Sequence, residues 1–392
     1  MVKHKTRLVV RAAVAAVAGM VVATMAAGVP AAAATKSAFV VGFSNTTAGT
    51  AAFAGLSDGA QAAVQYVNAH GGINGHPLVL AQCDLDPTPE KNQACGQQFA
   101  NDSRLKMVIT GLSVNPGPLF AAVTPTGLPV LESFPTNDAE YVASNAVAYN
   151  GGGVASAVGQ AEISNYDKAK TVTRFQSDVA STTANNNYFL ARYKGPASAV
   201  TLVRVPATAT DPLPYVLQGN AVTADSVTEG IANCVPWAKV FSQLGIKGTK
   251  VTTSSSCLSA ANIQGPSGPL FEGWRSAYLY QDAVFGPITK DLKTLINEYP
   301  KYAKLPTTPG FAAYVSQGWG PILTLQNVLR GKPDSVLNNK KALFNVLHSY
   351  RGPGNLTASS MKCGAIKSLP ALCTTYTIKG QVRGGKIYRV AG

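Results

Sequence analysis

The chain has 392 residues, of which 46% are apolar, and its formal net charge at pH 7 is +14. The length favours two domains over one, and the apolar fraction excludes a globally disordered chain. Only 13% of the residues are charged, without an arginine-rich run or aromatic–basic interleaving, so we do not expect nucleic-acid binding. The positive charge predicts a weaker interaction instead, an electrostatic attraction to an anionic cell envelope.

Residues 1–34 have the pattern of a signal peptide. Basic residues between Lys3 and Arg11 precede an apolar run over 12–27, and small residues allow cleavage after Ala34. A retained membrane anchor is the alternative, but the run is short for a spanning helix. The cleavage position has no cysteine nearby. We therefore expect export by the Sec route without a lipoprotein anchor, to a periplasmic, cell-wall-associated or secreted location.

The first unit predicted after this leader is a strand, a helix and a second strand. Residues 39–43 form the first strand, a helix covers about 53–68, and 77–82 form the second strand. The intervening turn contains Gly71-Gly72-Ile73-Asn74-Gly75, whose glycines permit the positive φ that reverses the chain. Ile73 is expected to pack beneath the helix end. Such a unit is normally right-handed and builds a parallel sheet.

The same alternation of strand, polar loop and helix continues through residue 135. Helices are predicted near 89–101 and 118–124, and short buried strands at 107–111 and 128–131. Strands that alternate with helices in this way predict a doubly wound α/β domain.

A second α/β series follows a glycine-rich crossover at 149–153. Its predicted elements are a helix at 154–164, strands at 171–175, 200–205 and 221–228, a helix at 236–244 and a strand at 250–253. A Gly/Pro-rich segment at 265–273 then leads back toward the first domain. The remaining elements are helices at 288–299, 312–329 and 336–349 and a hairpin of 374–378 with 386–390, turning near Gly384-Gly385.

Six cysteines fall as three close pairs along the chain. In an exported protein an even number of cysteines indicates a disulfide framework, and we expect sequence neighbours to pair although other connectivities are possible. No pair is Cys-x-x-Cys, which disfavours zinc and thioredoxin chemistry. The expected pairs are Cys83 with Cys95, Cys234 with Cys257, and Cys363 with Cys373.

The sequence lacks the motifs of common enzymes and cofactor sites. His70 and His76 lie in the turn without a spaced acidic or cysteine partner, so we expect no metal site. The sequence has no Gly-x-Ser-x-Gly nucleophile elbow and no Gly-x-x-x-x-Gly-Lys-Ser/Thr phosphate loop. We therefore expect a protein that is not an enzyme and that needs no cofactor.

Four stretches occur in a distinctive order: 66–78 with its glycine-rich turn, Cys83-Asp84-Leu85-Asp86-Pro87, Gly127-Leu128-Pro129-Val130-Leu131 and Gly318-Trp319-Gly320-Pro321-Ile322. Together they resemble the type I periplasmic solute-binding proteins of the branched-chain amino-acid (Leu/Ile/Val-binding) class, over about residues 38–392. The resemblance implies two doubly wound α/β lobes joined by three crossovers. Ligand would lie in the cleft between the lobes, which close as a hinge.

The same resemblance implies a domain plan and partners. Lobe 1 would comprise 36–148 and 274–350, and lobe 2 would comprise 149–273 and 351–392. The protein would be a monomer that captures a small molecule, such as an amino acid, an amide or a related compound, and delivers it to an ABC permease in the membrane. The alternative is a secreted ligand-binding or sensing module of this fold without a dedicated transporter.

The candidate ligand-binding residues are polar and aromatic residues beside the ends of predicted strands. Ligands of parallel sheets meet the loops at strand carboxyl ends, and small-molecule sites combine apolar walls with a few polar groups. In the family, the loops that match Ser113 and 134–136 hold the ligand's carboxylate. The candidates are Phe53, Ser113, Asn115, Ser133, Phe134, Thr136 and Tyr149 in lobe 1, and Asp178, Glu229 and Ser255 in lobe 2.

One loop departs from the amino-acid-binding pattern. In that family the loop after the strand that matches 250–253 supplies an acidic residue for the ligand's ammonium group. Here the loop is Ser254-Ser255-Ser256-Cys257. Glu229 or Asp178 would have to substitute. A ligand without an ammonium group, an amide, an aromatic acid or a peptide-like molecule is thus expected as much as an amino acid.

Overall fold

The computed structural model describes residues 36–48, 53–178, 181–206, 208–230, 234–307 and 311–391. The expected signal peptide, residues 1–34, lies outside this described part. Helices alternate with strands that assemble into two sheets, so the α/β fold expected from the sequence is confirmed. Across the described ranges, no helix is long and apolar enough to cross a lipid bilayer.

The first sheet is entirely parallel. Its strands are β1 (Phe39–Thr46), β2 (Leu78–Leu85), β3 (Leu105–Thr110), β4 (Val130–Glu132) and β5 (Ala146–Ala148). The spatial order β2-β1-β3-β4-β5 reverses direction between β1 and β3. The crevice outside the carboxyl ends of such a pair is where open α/β sheets bind ligands.

The predicted opening unit is present. Helix α1 (Ala54–Ala69) joins β1 to β2, and the turn after it contains three glycines with positive φ and the buried side chain of Ile73. Helix α2 (Pro89–Asn101) begins where expected because the Thr88 side chain accepts a hydrogen bond from the Lys91 N–H. Two shorter helices follow in this part of the chain, α3 (Gly117–Val123) and α4 (Asp138–Val142).

The second sheet contains both parallel and antiparallel strands. They are β6 (Val172–Ser177), β7 (Val200–Val205), β8 (Ser226–Gly230), β9 (Val251–Thr253), β10 (Arg275–Tyr278), β11 (Phe285–Gly286), β12 (Ile378–Arg383) and β13 (Lys386–Arg389). Their order is β11-β13-β12-β10-β9-β8-β6-β7. The β12–β13 hairpin turns at Gly384-Gly385 as predicted, and it pairs antiparallel to β10.

The remaining helices follow in chain order. They are α5 (Gly152–Tyr166), α6 (Ser181–Arg192), α7 (Leu213–Gln218), α8 (Cys234–Gln243), α9 (Ala260–Ile263), α10 (Lys290–Glu298), α11 (Val315–Leu329), α12 (Asp334–Leu337) and α13 (Lys340–Ser349). The single helix predicted over 336–349 is two helices, because Asn339 caps a new helix by accepting a hydrogen bond from the Ala342 N–H. The strand predicted over 221–228 starts at Ser226, since turns occupy 220–223.

Helices α1 and α11 approach each other closely. A Cβ atom added at Gly59 would lie 2.2 Å from the Val315 carbonyl oxygen, and one at Gly318 would lie 2.0 Å from the Leu56 carbonyl oxygen. Backbone therefore contacts backbone, which only glycine permits. This contact positions the start of α11 next to the start of α1, at the carboxyl end of β1.

The three disulfides of the structure join the cysteines that are neighbours in the sequence, in agreement with the expected pairing. The bonds are Cys83–Cys95, Cys234–Cys257 and Cys363–Cys373. The first links β2 to α2, and the second links the start of α8 to the segment after β9. The third closes a loop beside β5, where the Ala148 N–H donates to the Ala371 carbonyl oxygen at 2.8 Å.

The expected lobe boundaries remain a proposal, with one revision. Strands β10 and β11 follow residue 274, yet both belong to the second sheet. We therefore propose that the later segment of lobe 1 begins after Gly286 rather than at 274.

Candidate functional site

The end of β1 fixes the position of Phe53. The Phe53 N–H donates to the Thr46 carbonyl oxygen at 2.8 Å, and Asn45 Nδ2 donates to the Phe53 carbonyl oxygen at 2.9 Å. Asn45 Nδ2 also lies 2.9 Å from the Ser57 hydroxyl of α1. The aromatic side chain just before α1 is thus held at the carboxyl edge of the first sheet.

Three aromatic rings meet at this edge. The ring centroid of Tyr314 lies 5.2 Å from that of Phe53 and 6.0 Å from that of Phe134. Its plane is nearly perpendicular to both, at 87° and 84°. All three side chains are partly exposed. Phe53, Phe134 and Tyr314, here called the aromatic trio, therefore form an apolar corner that a ligand can reach.

Tyr314 has an unusual backbone. It directly precedes α11 and has a φ of 70°, in the left-handed region that residues other than glycine seldom adopt. Such conformations cluster at functional sites. Tyr314 is not among the candidates named from the sequence, because the predicted helix starts at Ala312 and a left-handed residue is not expected inside a helix.

A carboxylate of the second sheet lies close to the same tyrosine. Glu229 is fully buried near the end of β8, where it accepts a hydrogen bond from the Thr253 hydroxyl of β9. Burial raises the pKa of Tyr314, the Ser256 hydroxyl lowers it, and the charge of Glu229 raises it further. Tyr314 is therefore close to a carboxylate within β8 and to a hydroxyl in the segment after β9.

The other candidates of the second sheet lie differently. Asp178 is exposed and forms an ion pair with Arg204 at 3.0 Å, so of the two nominated acids Glu229 is the one beside Tyr314. Ser255 is partly buried in the short helical turn Ser255–Leu258, next to a pair of serine hydroxyls 2.9 Å apart, those of Ser254 and Ser256.

Ser113 and Asn115 connect the loops around the first sheet. The Ser113 hydroxyl donates to Asn92 Oδ1 of α2 at 2.7 Å, and the Ser113 carbonyl oxygen accepts from the Thr136 hydroxyl at 3.1 Å. Asn115 Nδ2 donates to the Pro87 carbonyl oxygen at 2.5 Å. Both side chains thus stabilise the loops after β3 and β4 and the segment before α2.

The loop after β4 already binds a carboxylate, which the protein itself supplies. Glu140 Oε2 of α4 accepts the Thr136 N–H at 2.5 Å, the Asn137 N–H at 3.0 Å and the Thr136 hydroxyl at 3.3 Å. The resemblance implied that 134–136 would hold the carboxylate of a ligand. Glu140 is absent from the candidates named from the sequence, although Asn137-x-x-Glu140 has the spacing of a capping box, which brings the Glu140 side chain back onto the start of α4.

A second buried acid, Glu132 at the end of β4, lies beside Glu140. It accepts a hydrogen bond from the Thr110 hydroxyl. Burial raises the pKa of Glu132 well above its ordinary value, and the adjacent Glu140 charge adds to this effect. Burial also raises the pKa of Glu140 to about 7, against the hydrogen bonds from Thr136 and Asn137. The pair therefore retains a proton near neutral pH.

Ser133 directly follows β4 and precedes Phe134 of the trio. Its hydroxyl is buried and has no hydrogen-bond partner within the described part of the chain. Its carbonyl oxygen accepts from Asn150 Nδ2, which also donates to the Tyr280 hydroxyl at 3.2 Å. A ligand group could supply the missing partner.

The structure does not bring Tyr149 to the aromatic trio. Tyr149 is buried, and its hydroxyl donates to the Leu347 carbonyl oxygen of α13 at 2.7 Å. Its ring packs 5.8 Å from that of Tyr350. Elsewhere among the described residues, no group of three or more His, Cys, Asp or Glu side chains is placed to hold a metal ion.

Comparison with protein families agrees with this architecture. A family model described as periplasmic binding protein matches residues 38–319, which is more than half of the chain. The chain belongs to the periplasmic binding protein family. The resemblance seen in the sequence is thereby confirmed. A comparison with curated protein sequences gave no match.

Solved structures show the same fold at low sequence identity. An ABC transporter substrate-binding protein from Sphaerobacter thermophilus has a TM-score of 0.72 at 15% identity, covering 91% of this chain and 97% of its own. The branched-chain amino acid transporter substrate-binding protein LivJ from Streptococcus pneumoniae, in complex with isoleucine, has a TM-score of 0.70 at 14% identity, covering 91% and 100%.

A third similar structure is a solute-binding protein of an ABC transporter from R. palustris in complex with 4-hydroxybenzoate. It has a TM-score of 0.71 at 16% identity, covering 91% of this chain and 96% of its own. The family and these neighbours are solute-binding proteins rather than enzymes. The different ligands show that the fold does not dictate the solute.

Proposed function

We propose that this periplasmic binding protein is an exported receptor that captures a small organic molecule between its two lobes and delivers it to an ABC permease. The observation that best supports this proposal is the position of Tyr314. It precedes α11, which packs on α1 beside the first sheet, and it lies close to Ser256 and Glu229 of the second sheet. A site composed from both sheets is what hinge closure around a ligand requires.

The chemistry of this place supports binding of a small molecule. The aromatic trio supplies an apolar wall, and a buried carboxylate with several serine hydroxyls supplies a few polar groups, as small-molecule sites do. Among the residues named from the sequence, we propose ligand contacts for Phe53, Ser133, Phe134, Glu229 and Ser255. Ser113, Asn115 and Thr136 support the loops around them.

A thermal-shift screen tests the binding proposal. The panel contains amino acids, amides, amines, aromatic acids and short peptides. A ligand at 100 times its Kd adds about 2.7 kcal/mol to the free energy of unfolding, which gives a clear rise in Tm. Tyr314→Ala should abolish the rise, whereas Tyr149→Phe, on a residue away from the trio, should keep it. A folded protein that responds to no member of the panel contradicts the proposal.

The transport step and the export step need separate measurements. Cells that lack this protein should lose high-affinity uptake of the ligand found in the screen, and unchanged uptake would favour a sensing role. We also propose that the mature protein begins after Ala34 and is a monomer. N-terminal sequencing of the exported protein and its mass in solution check these two points.

A further inference from the structure

We infer that the solute is an organic cation, an amine or a quaternary ammonium compound, held between the aromatic trio and the Glu229 carboxylate. This inference rests on the proposed solute-binding function and specifies the class of its ligand. Three independent features of the site support it, namely the arrangement of the rings, the position of Glu229 and the occupation of the loop after β4.

The first feature is the geometry of the aromatic trio. The Phe53 and Phe134 rings are both nearly perpendicular to the Tyr314 ring, at centroid distances of 5.2 and 6.0 Å. These are edge-to-face contacts, and the partly exposed ring faces that they leave uncovered carry the negative side of the ring quadrupole. A cation within about 6 Å of such faces is attracted to each of them, and quaternary ammonium groups are recognised in this way.

The second feature is the carboxylate of Glu229, whose Oε2 atom lies 3.3 Å from the Sγ atom of Cys257, the residue after Ser256. It is fully buried, and its charge acts on the Tyr314 hydroxyl. A negative charge beside the trio attracts a cationic ligand and repels a carboxylate, and burial of Glu229 strengthens the effect because little water screens its charge. An acidic ligand stacked on the trio would have to bring its charge toward this group.

The third feature is the loop after β4. Its Thr136 and Asn137 N–H groups donate to Glu140 Oε2 at 2.5 and 3.0 Å. A ligand carboxylate at these donors would have to displace one that is tethered within the same loop and helix. An intramolecular group competes at a high effective concentration. Because Glu140 already occupies the Thr136 and Asn137 N–H groups, the loop after β4 favours a ligand without a carboxylate.

Calorimetry on the full chain with charge-matched probes tests the inference. Tetramethylammonium and choline are the cationic probes, and 3,3-dimethyl-1-butanol is the neutral isostere of choline. Choline should bind at least about tenfold tighter than the isostere, the discrimination that a desolvated cation–π site provides. Benzoate and isoleucine are the acidic and zwitterionic probes and should bind more weakly than choline. Equal affinity of choline and its isostere, or preference for benzoate, overturns the inference.

Matched substitutions identify the carboxylate. Glu229→Gln should weaken choline binding by about thirtyfold or more, because it removes a buried counter-charge. Asp178→Asn, on the exposed acid paired with Arg204, should change the Kd less than about twofold. Phe134→Leu, which keeps apolar volume without a ring, should weaken choline more than the isostere. If Glu229→Gln does not fold, Phe134→Leu still tests the site.

The outcomes separate the two proposals. If no amine or quaternary ammonium compound binds while an acid or a neutral solute does, the inference fails and the proposed function stands. If the folded protein binds no solute of any charge class, both fail. Cation binding that is unaffected by Glu229→Gln and Phe134→Leu places the cation elsewhere and also overturns the inference.

Discussion

The carboxyl groups of Glu132 and Glu140 are both fully buried beside the first sheet, and the charge of Glu140 adds to the burial that raises the pKa of Glu132. Glu132 is anchored by the Thr110 hydroxyl, and Glu140 holds the N–H groups of Thr136 and Asn137. The pair therefore connects a buried titration to the loop that carries Phe134.

We expect the protein to lose stability as the pH rises through neutrality. Burial raises the pKa of Glu140 from 4.5 to about 7 and raises that of Glu132 as well. Folding thus favours the protonated acids, and this stabilisation is complete below about pH 4.5 and lost as the pH rises through 7. Between pH 5 and 8 the free energy of unfolding should fall by on the order of 3 kcal/mol. Urea denaturation at each pH measures it.

Glu132→Gln is the informative variant for this titration. It removes one of the two charges, so the loss of stability between pH 5 and 8 should shrink by at least about half. Glu162→Gln is the control. The pKa of Glu162 is lowered by its pairing with Lys379 and Arg192 despite partial burial. Glu162→Gln should change the free energy of unfolding only at acidic pH. The decrease of this free energy with pH above pH 5 should be the same as in the unmodified protein. If Glu132→Gln lost as much stability between pH 5 and 8 as the unmodified protein, groups other than Glu132 and Glu140 would be the cause of that loss.

The close crossing of α1 and α11 should make Gly59 intolerant of any side chain. Gly59→Ala would place Cβ 2.2 Å from the Val315 carbonyl oxygen, so the helices must separate. We expect a loss of about 2–3 kcal/mol by urea denaturation, and weaker ligand binding because Tyr314 would shift. Gly117→Ala is the control, since no atom lies within 4 Å of its added Cβ. It should be neutral or stabilise by up to about 1 kcal/mol. Equal stabilities would contradict the predicted overlap.

Most of the fold was readable from the sequence because its strands are apolar and its turns contain glycine. The opening unit and the β12–β13 turn came from such patterns. Strand β10 was missed because it begins with Arg275, a nearly buried residue whose guanidinium pairs with Asp167. Helix α6 was missed because its first two turns are polar and its anchor, the fully buried Phe189, comes late. Long-range packing decides both, and no local pattern shows it.

The buried Asp58 of α1 should contribute more to stability than its hydrogen-bond partner Tyr299. Asp58 Oδ2 accepts from the Tyr299 hydroxyl at 2.6 Å and from the Leu305 N–H at 3.2 Å, and Oδ1 accepts from the Lys304 N–H at 2.9 Å. Asp58→Asn would turn an amide donor toward these donors and should cost about 2–3 kcal/mol. Tyr299→Phe removes one bond and should cost about 1 kcal/mol. Chemical denaturation compares them, and the reverse order would refute this account.

The candidate site was predictable where it follows the strand-end rule. Phe53, Phe134 and Glu229 all lie beside strand carboxyl ends, and the structure places each of them near Tyr314. Tyr314 has a left-handed backbone conformation and lies more than a hundred positions beyond Phe134 in the sequence. The Glu140 contact forms because α4 folds back onto the loop after β4. The backbone conformation of Tyr314 has no local sequence signal, whereas the Asn137-x-x-Glu140 spacing is the local signal of a capping box and was overlooked.

Removal of the Cys234–Cys257 disulfide should affect ligand binding as well as stability. Cys257 directly follows Ser256, and its partner begins α8, so the bond restrains the segment that faces Tyr314. The double variant Cys234→Ala/Cys257→Ala should lose about 3 kcal/mol of stability, and its Kd should rise about tenfold because the segment must be ordered on binding.

The matched control removes Cys83–Cys95, which joins β2 to α2. Cys83→Ala/Cys95→Ala should lose a similar stability, about 3 kcal/mol, because loop-closure entropy depends weakly on loop length. Its Kd should stay within about twofold, since the bond does not restrain the segment after β9. Calorimetry with the ligand from the thermal-shift screen, at a temperature where both variants are folded, makes the comparison. Equal losses of affinity would show that the two disulfides act on binding only through global stability.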